Sequence, residues 1–170
     1  ADKDSKGNFI AGTEQQGLYC PATGAVGWKV DVPKTGKYMI SIEYYPVEGK
    51  SSSIERTLYI DGKVPFYEAR FLTCTKVWAD EYSEDFDGSR STAFKKDING
   101  NEIKPTKLQT PEWRTYDFSD STGYYIDPFE FYFEEGSHVI QLEALREAYV
   151  IKSITLKPAQ ETVSYEEYLK

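Results

Sequence analysis

The sequence predicts an all-β domain, a β-sandwich of two antiparallel sheets. Three observations carry that expectation. Aromatic residues make up 15 % of the 170-residue chain, with 14 Tyr and 9 Phe, and with many Val, Ile and Thr they favour strands over helices. Apolar residues recur at every second position in several short segments, as a half-buried strand requires. Turn residues separate those segments, and no helical periodicity of useful length appears before the tail. The length suits one domain with a sizeable core.

The elements follow in order. Val26-Gly27-Trp28-Lys29-Val30-Asp31-Val32 alternates, so Trp28 is read as core. Pro33-Lys34-Thr35-Gly36 is a turn. From Lys37 to Tyr45 the residues Tyr38, Ile40, Ile42 and Tyr44 share one face. Arg56 to Ile60 is a strand closed by Asp61-Gly62, a hairpin signal. Phe66 to Trp78 reads as one or two more strands. Ala79 to Glu112 is polar and rich in Gly, Asn and Pro, and reads as a long loop insertion. Within it, Asp97-Ile98-Asn99-Gly100-Asn101-Glu102 fits a turn better than a calcium loop. Strands resume at Trp113 to Phe118, then Phe129 to Glu134, where Phe129, Phe131 and Phe133 face the core. Gly136-Ser137 turns the chain into His138 to Leu142, and the last strand runs from Tyr149 to Leu156. The module spans 1–158, and 159–170 reads as a linker towards a further domain.

The formal charge is −8 with no Lys/Arg cluster, so nucleic acid and anionic membrane surfaces are poor partners. No apolar run is long enough to span a bilayer. The chain starts at Ala1 without a signal peptide, and we expect an excised piece of an exported protein that makes no direct membrane contact. Cys20 and Cys74 fit no metal spacing; they either pair or pack as small apolar groups. His138 is the only histidine and shares the parity of Ile140 and Leu142. A Ser-His-Asp or Cys-His site finds no support, and plentiful carboxylates are not a glycosidase pair. No enzyme is expected.

Three stretches together resemble a known family. They are Trp28-Lys29-Val30-Asp31-Val32-Pro33 with Gly36-Lys37-Tyr38 and Tyr44-Tyr45; Arg56-Thr57-Leu58-Tyr59-Ile60-Asp61-Gly62 with Thr75-Lys76-Val77-Trp78; and Phe133, Glu135-Gly136-Ser137-His138 with Ile151 to Leu156. The series resembles the galactose-binding-like jelly rolls of carbohydrate-binding module families six and thirty-five. Glu48 to Arg56, Asp61 to Phe66 and Asn99 to Pro105 look like a module of lipid-anchored extracellular solute-binding proteins of Gram-positive sugar importers. There a Tyr-x-x-Tyr segment follows the module, as Tyr165-Glu166-Glu167-Tyr168 does here. The resemblance implies a jelly roll that captures poly- or oligosaccharide at the cell surface, within a multidomain protein. It also implies a structural calcium held by an early Glu and an Asp in the last strand. Lys152 occupies the Asp position, which disfavours calcium; we expect Lys152 to pair with an early acid such as Glu14, and no cofactor.

A sugar is held by aromatic rings against its C–H faces and by charged side chains on its hydroxyls. Seven residues fit those roles on loops. Trp78 either closes one end of the sandwich or faces ligand, and the resemblance favours the second. Trp113 and Arg114 either form a stacking ring with a bidentate donor, or Trp113 packs the long loop down while Arg114 lies in solvent. Tyr45 and Arg56 flank the loop Pro46 to Glu55; Arg56 has the inward parity of Leu58 and Ile60, so an ion pair with Glu43, Glu55 or Glu68 is the alternative. Arg146 and Glu147 precede the last strand, either as ligand contacts or as a solvated pair. Three arginines would suit an acidic sugar. The rival functions are a spacer module without glycan affinity and, more remotely, a jelly-roll lyase or hydrolase.

Overall fold

A computed structural model describes residues 17–81 and 94–159. Glu14, the polar residues 82–93 and the Tyr165–Tyr168 segment lie outside the described residues, as does the proposed linker beyond Ala159.

Two antiparallel sheets face each other, as expected. One contains β1 (Leu18–Cys20), β13 (Tyr149–Pro158) and β3 (Gly36–Pro46), with β10 (Arg114–Asp117) and β11 (Glu130–Phe133) both paired along the free edge of β3. The other runs β2 (Ala25–Val32), β12 (Gly136–Arg146), β4 (Ile54–Ile60) and β5 (Leu72–Cys74). The alternation does what a period of two requires. On β3, Tyr38, Ile40, Ile42 and Tyr44 are buried in the sandwich. Leu58, Ile140, Leu142, Phe131 and Phe133 meet them from the other strands. Each such side chain stabilises the fold by roughly 1.5–3 kcal/mol through burial alone.

Two readings change. Tyr67–Arg70 forms a 3-10 turn, so Phe66 to Trp78 contributes only the short β5 to the sandwich. Asp61-Gly62 does turn with both residues at positive φ (51° and 78°), the geometry of a two-residue hairpin loop. The returning strand stops after the single bridge Ile60–Lys63, because Pro65 has no N–H to offer a ladder.

The long insertion is not a bare loop. It carries β6 (Trp78–Asp80) paired with β9 (Lys107–Gln109), and β7 (Lys95–Lys96) paired with β8 (Glu102–Ile103). The turn between β7 and β8 is the expected Asn/Gly turn. Asp97 Oδ1 accepts the N–H groups of Asn99 and Asn101, each at 2.8 Å, and Gly100 takes a positive φ of 83°.

This topology gathers the segments 46–54, 74–81, 107–113 and 146–149 at one end of the sandwich. All seven candidate residues lie there.

Candidate functional site

The strand register sorts the seven candidates into buried anchors and open side chains. Arg56 has the inward parity of Leu58, and it is 2 % exposed. Its guanidinium donates to backbone carbonyls rather than carboxylates. Nη1 reaches Glu55 O at 2.8 Å and Arg146 O at 2.7 Å; Nη2 reaches Glu147 O at 2.7 Å and Pro21 O at 3.3 Å. The cation also sits 4.3 Å from the centre of the Tyr149 ring. Arg56 is therefore a corner-post that ties the loop before β13 to the core. Neither a ligand contact nor an ion pair with Glu43, Glu55 or Glu68 fits this geometry, because all four Nη hydrogens go to main-chain carbonyls.

Glu147 is likewise an internal brace. Its φ is 56°, a backbone state that costs a non-glycine residue on the order of 1–3 kcal/mol. The side chain offsets that cost: Oε2 accepts from Lys76 Nζ at 2.8 Å and from Lys50 N at 3.1 Å, and Oε1 accepts from Ser52 Oγ at 3.0 Å. The Lys76 bond, then burial opposed by Ser52 and the Lys50 N–H, leave the Glu147 carboxyl below its ordinary range. Lys76 is 2 % exposed in its side chain and also donates to Lys50 O at 2.8 Å. Gln109 completes the brace from β9, with Nε2 donating to Gly49 O at 2.6 Å and Gly49 N donating to its Oε1 at 3.2 Å. The expectation of Glu147 as a ligand contact gives way to this brace, and Arg146, the exposed member of the expected pair, turns to Glu55 at 3.4 Å instead.

Trp113 and Arg114 part company. Their partners Tyr44 and Tyr45 are adjacent on β3 and so point to opposite faces. Arg114 registers with Tyr44, and its charge is felt by the Tyr44 phenol, which burial pushes up and the Thr75 hydrogen bond holds down. Trp113 packs on Tyr45 instead, ring centres 5.4 Å apart, so a joint stacking-and-fork arrangement does not form. Tyr45 is 7 % exposed, which takes it out of ligand reach. Lys152 Nζ lies 5.8 Å from the Trp113 ring centre and pairs with Glu43 Oε1 at 2.8 Å. Among the described residues, the acid that Lys152 meets is thus on β3.

Of the three candidate aromatics, Trp78 is the one that stays open, at 38 % exposed. It registers opposite Gln109, and directly opposed residues share a face of their ribbon. The indole therefore stands beside the brace that fixes residues 49–50. Arg114 and Arg146 are exposed cations of the same end.

The cysteines are free and buried. Both pack in the core, and burial pushes each thiol up to about 12 against the opposing pull of Arg56. His138 is half-buried against Phe133, ring centres 5.2 Å apart. Its Nδ1 meets Asp61 Oδ2 at 2.6 Å and its Nε2 meets Glu134 O at 2.8 Å.

Sequence reasoning missed one concave region. The loop 118–129 leaves the sandwich flank between β10 and β11, and with Phe66 and Glu68 it encloses a groove of about 550 Å³ walled by Tyr124, Tyr125, Ile126 and Pro128. The signal was present as a Gly-Tyr-Tyr-Ile-Asp-Pro run that breaks the strand alternation.

No protein-family model matches the chain, and no curated protein matches it. Among solved structures it is similar to the crystal structure of the Podospora anserina GH26-CBM35 β-(1,4)-mannanase, with 11 % identity and a TM-score of 0.44. The similarity covers 85 % of this chain and 21 % of that one, so the chain spans well under two thirds of that protein. The fold class stands on the strand order and register described above.

Proposed function

We propose that the domain is a non-catalytic carbohydrate-binding module that captures poly- or oligosaccharide through the loop end of its sandwich. The observation that carries the reading is the Trp78 indole, open to solvent on a hairpin whose partner residue Gln109 is bonded into the 49–50 loop. An exposed ring on an ordered support suits the C–H face of a pyranose and loses little conformational freedom on binding. Arg114 and Arg146 stand ready for hydroxyl or carboxylate groups of the sugar. Binding requires neither metal nor cofactor in this reading, and Lys152, paired with Glu43, replaces the calcium ligand of related modules. The module belongs, in the same proposal, to an extracellular surface protein of a sugar-import system.

One observation favours a spacer role as a second reading: Trp113, Tyr45, Arg56 and Glu147 are all turned to internal packing. Affinity gels cast with neutral and uronic-acid polysaccharides separate the two. Retardation that Trp78→Ala abolishes supports capture. Unretarded migration of the wild type in every gel supports the spacer.

A further inference from the structure

We infer that the flank groove is a second carbohydrate-contacting surface, one that takes an uncharged oligosaccharide of two or more rings. The inference rests on the proposed ligand class but on a different place, away from the Trp78 end.

The first argument is how the loop is held. Asp120 accepts the N–H groups of Thr122 at 2.9 Å, Tyr124 at 2.8 Å and Tyr125 at 3.2 Å, together with the Thr122 hydroxyl at 2.8 Å. Those bonds, the Thr122 N–H first, hold the Asp120 carboxyl below its ordinary range. Phe118 and Phe129 pin the two ends of the loop into the core, Phe129 N donating to Phe118 O at 2.7 Å. On this fixed backbone, Tyr124 is 88 % and Tyr125 is 60 % exposed. Burial cannot explain rings placed there. Ordered, exposed aromatics with hydroxyl tips are the side chains that stack on sugars.

The second argument is the shape. The groove of about 550 Å³ adjoins a cavity of about 310 Å³ lined by Ile60, Lys63 and Tyr132, and the two share Phe66 and Glu130 as walls. Tyr132 is itself 65 % exposed. The cleft thus runs along the open edge of the sheets with tyrosines at both ends, which fits a chain of rings better than a compact ligand.

The third argument is charge. Glu68, Asp127 and Glu130 border the main groove, and Lys37 neutralises only Glu130, at 3.0 Å. Carboxylates accept from hydroxyls but repel a uronate or phosphate. The occupant is a neutral glycan.

Amide-shift mapping on the full chain tests this with β-1,4-linked mannohexaose, xylohexaose and cellohexaose, and with a galacturonic acid hexamer as the charged counterpart. The expected result is saturable shifts at residues 66–68 and 122–130 with a neutral hexamer and none there with the galacturonate. Losing two stacking rings in Tyr124→Ala/Tyr125→Ala should weaken that binding about tenfold or more. Tyr124→Phe should retain most of it. Neutral-sugar shifts confined to the Trp78 end, or a double variant that binds as wild type does, overturn the groove and leave the module reading intact. Shifts at the groove alone uphold it and overturn the loop-end site. Absence of any sugar-dependent shift overturns both.

Discussion

Replacing Arg56 by Met tests the role that burial assigns to it. The side chain is 2 % exposed and donates to four carbonyls, two of them in the segment Arg146–Glu147. Methionine fills much of the same volume but leaves those acceptors without a donor. Each unsatisfied buried acceptor costs about 1–3 kcal/mol, and the cation held against the Tyr149 ring adds about 1–2 kcal/mol. Against this stands the recovered cost of burying an unpaired cation, several kcal/mol. With four carbonyls left without this donor and one buried charge removed, the net expectation is a loss of about 3 kcal/mol or more. Urea unfolding followed by tryptophan fluorescence reads it as a lower midpoint at unchanged slope. Arg56→Lys should recover only part, since one ammonium cannot reach carbonyls on three segments. A loss under about 1 kcal/mol for the Met variant would refute the corner-post role, because ordinary surface changes fall within about that range.

Other consequences follow from the same contacts. Gly49→Ala places a Cβ within 2.6 Å of Glu147 Oε2, so it should displace that carboxylate and destabilise the fold much as Glu147→Ala does; the double variant, being the same lesion twice, should cost less than the sum. Glu147→Ala strands a Lys76 side chain that is 2 % exposed, and removing the lysine as well (Lys76→Met) should restore part of the stability in a double-mutant cycle. The bond to Asp61, then that to the Glu134 carbonyl, raises the His138 pKa. Its contribution is therefore fully present below the unfolded value near 6.5 and is lost as pH rises through the folded value; urea midpoints should fall from pH 6 to pH 8, and His138→Gln should flatten that fall. With burial holding both thiols up to about 12, Cys20 and Cys74 should resist an aromatic disulfide reagent at pH 8 and release two equivalents in denaturant; a native chain that releases both at once would contradict their burial.

The sandwich was legible because a period of two writes itself into residues such as Tyr38, Ile40, Ile42 and Tyr44, and the same parity placed Arg56 inside. What Arg56 does there was not legible: its acceptors are main-chain carbonyls near positions 21, 55, 146 and 147, and carbonyls carry no sequence signature. Which of its two alternatives the Trp113-Arg114 pair takes was not legible for a related reason. Tyr44 and Tyr45 are opposite in space once β3 forms, and only the pairing of Arg114 with Tyr44 at the start of β10 leaves Trp113 to meet Tyr45. The brace around Glu147 depends on contacts 71 to 97 residues apart, beyond any local motif. The flank groove escaped because Tyr124 and Tyr125 sit in a segment without alternation, and their exposure is set by Asp120 bonds that only the folded loop reveals.

The central claim is that Trp78 presents an open ring to a sugar. Isothermal titration of the wild type and Trp78→Ala with the best-retarded glycan tests it most directly. The account gives saturable binding by the wild type, weakened about tenfold or more by the loss of the ring, with unfolding midpoints unchanged because the indole is not part of the core. Equal affinity in the two proteins, or loss of affinity accompanied by loss of stability, would contradict it.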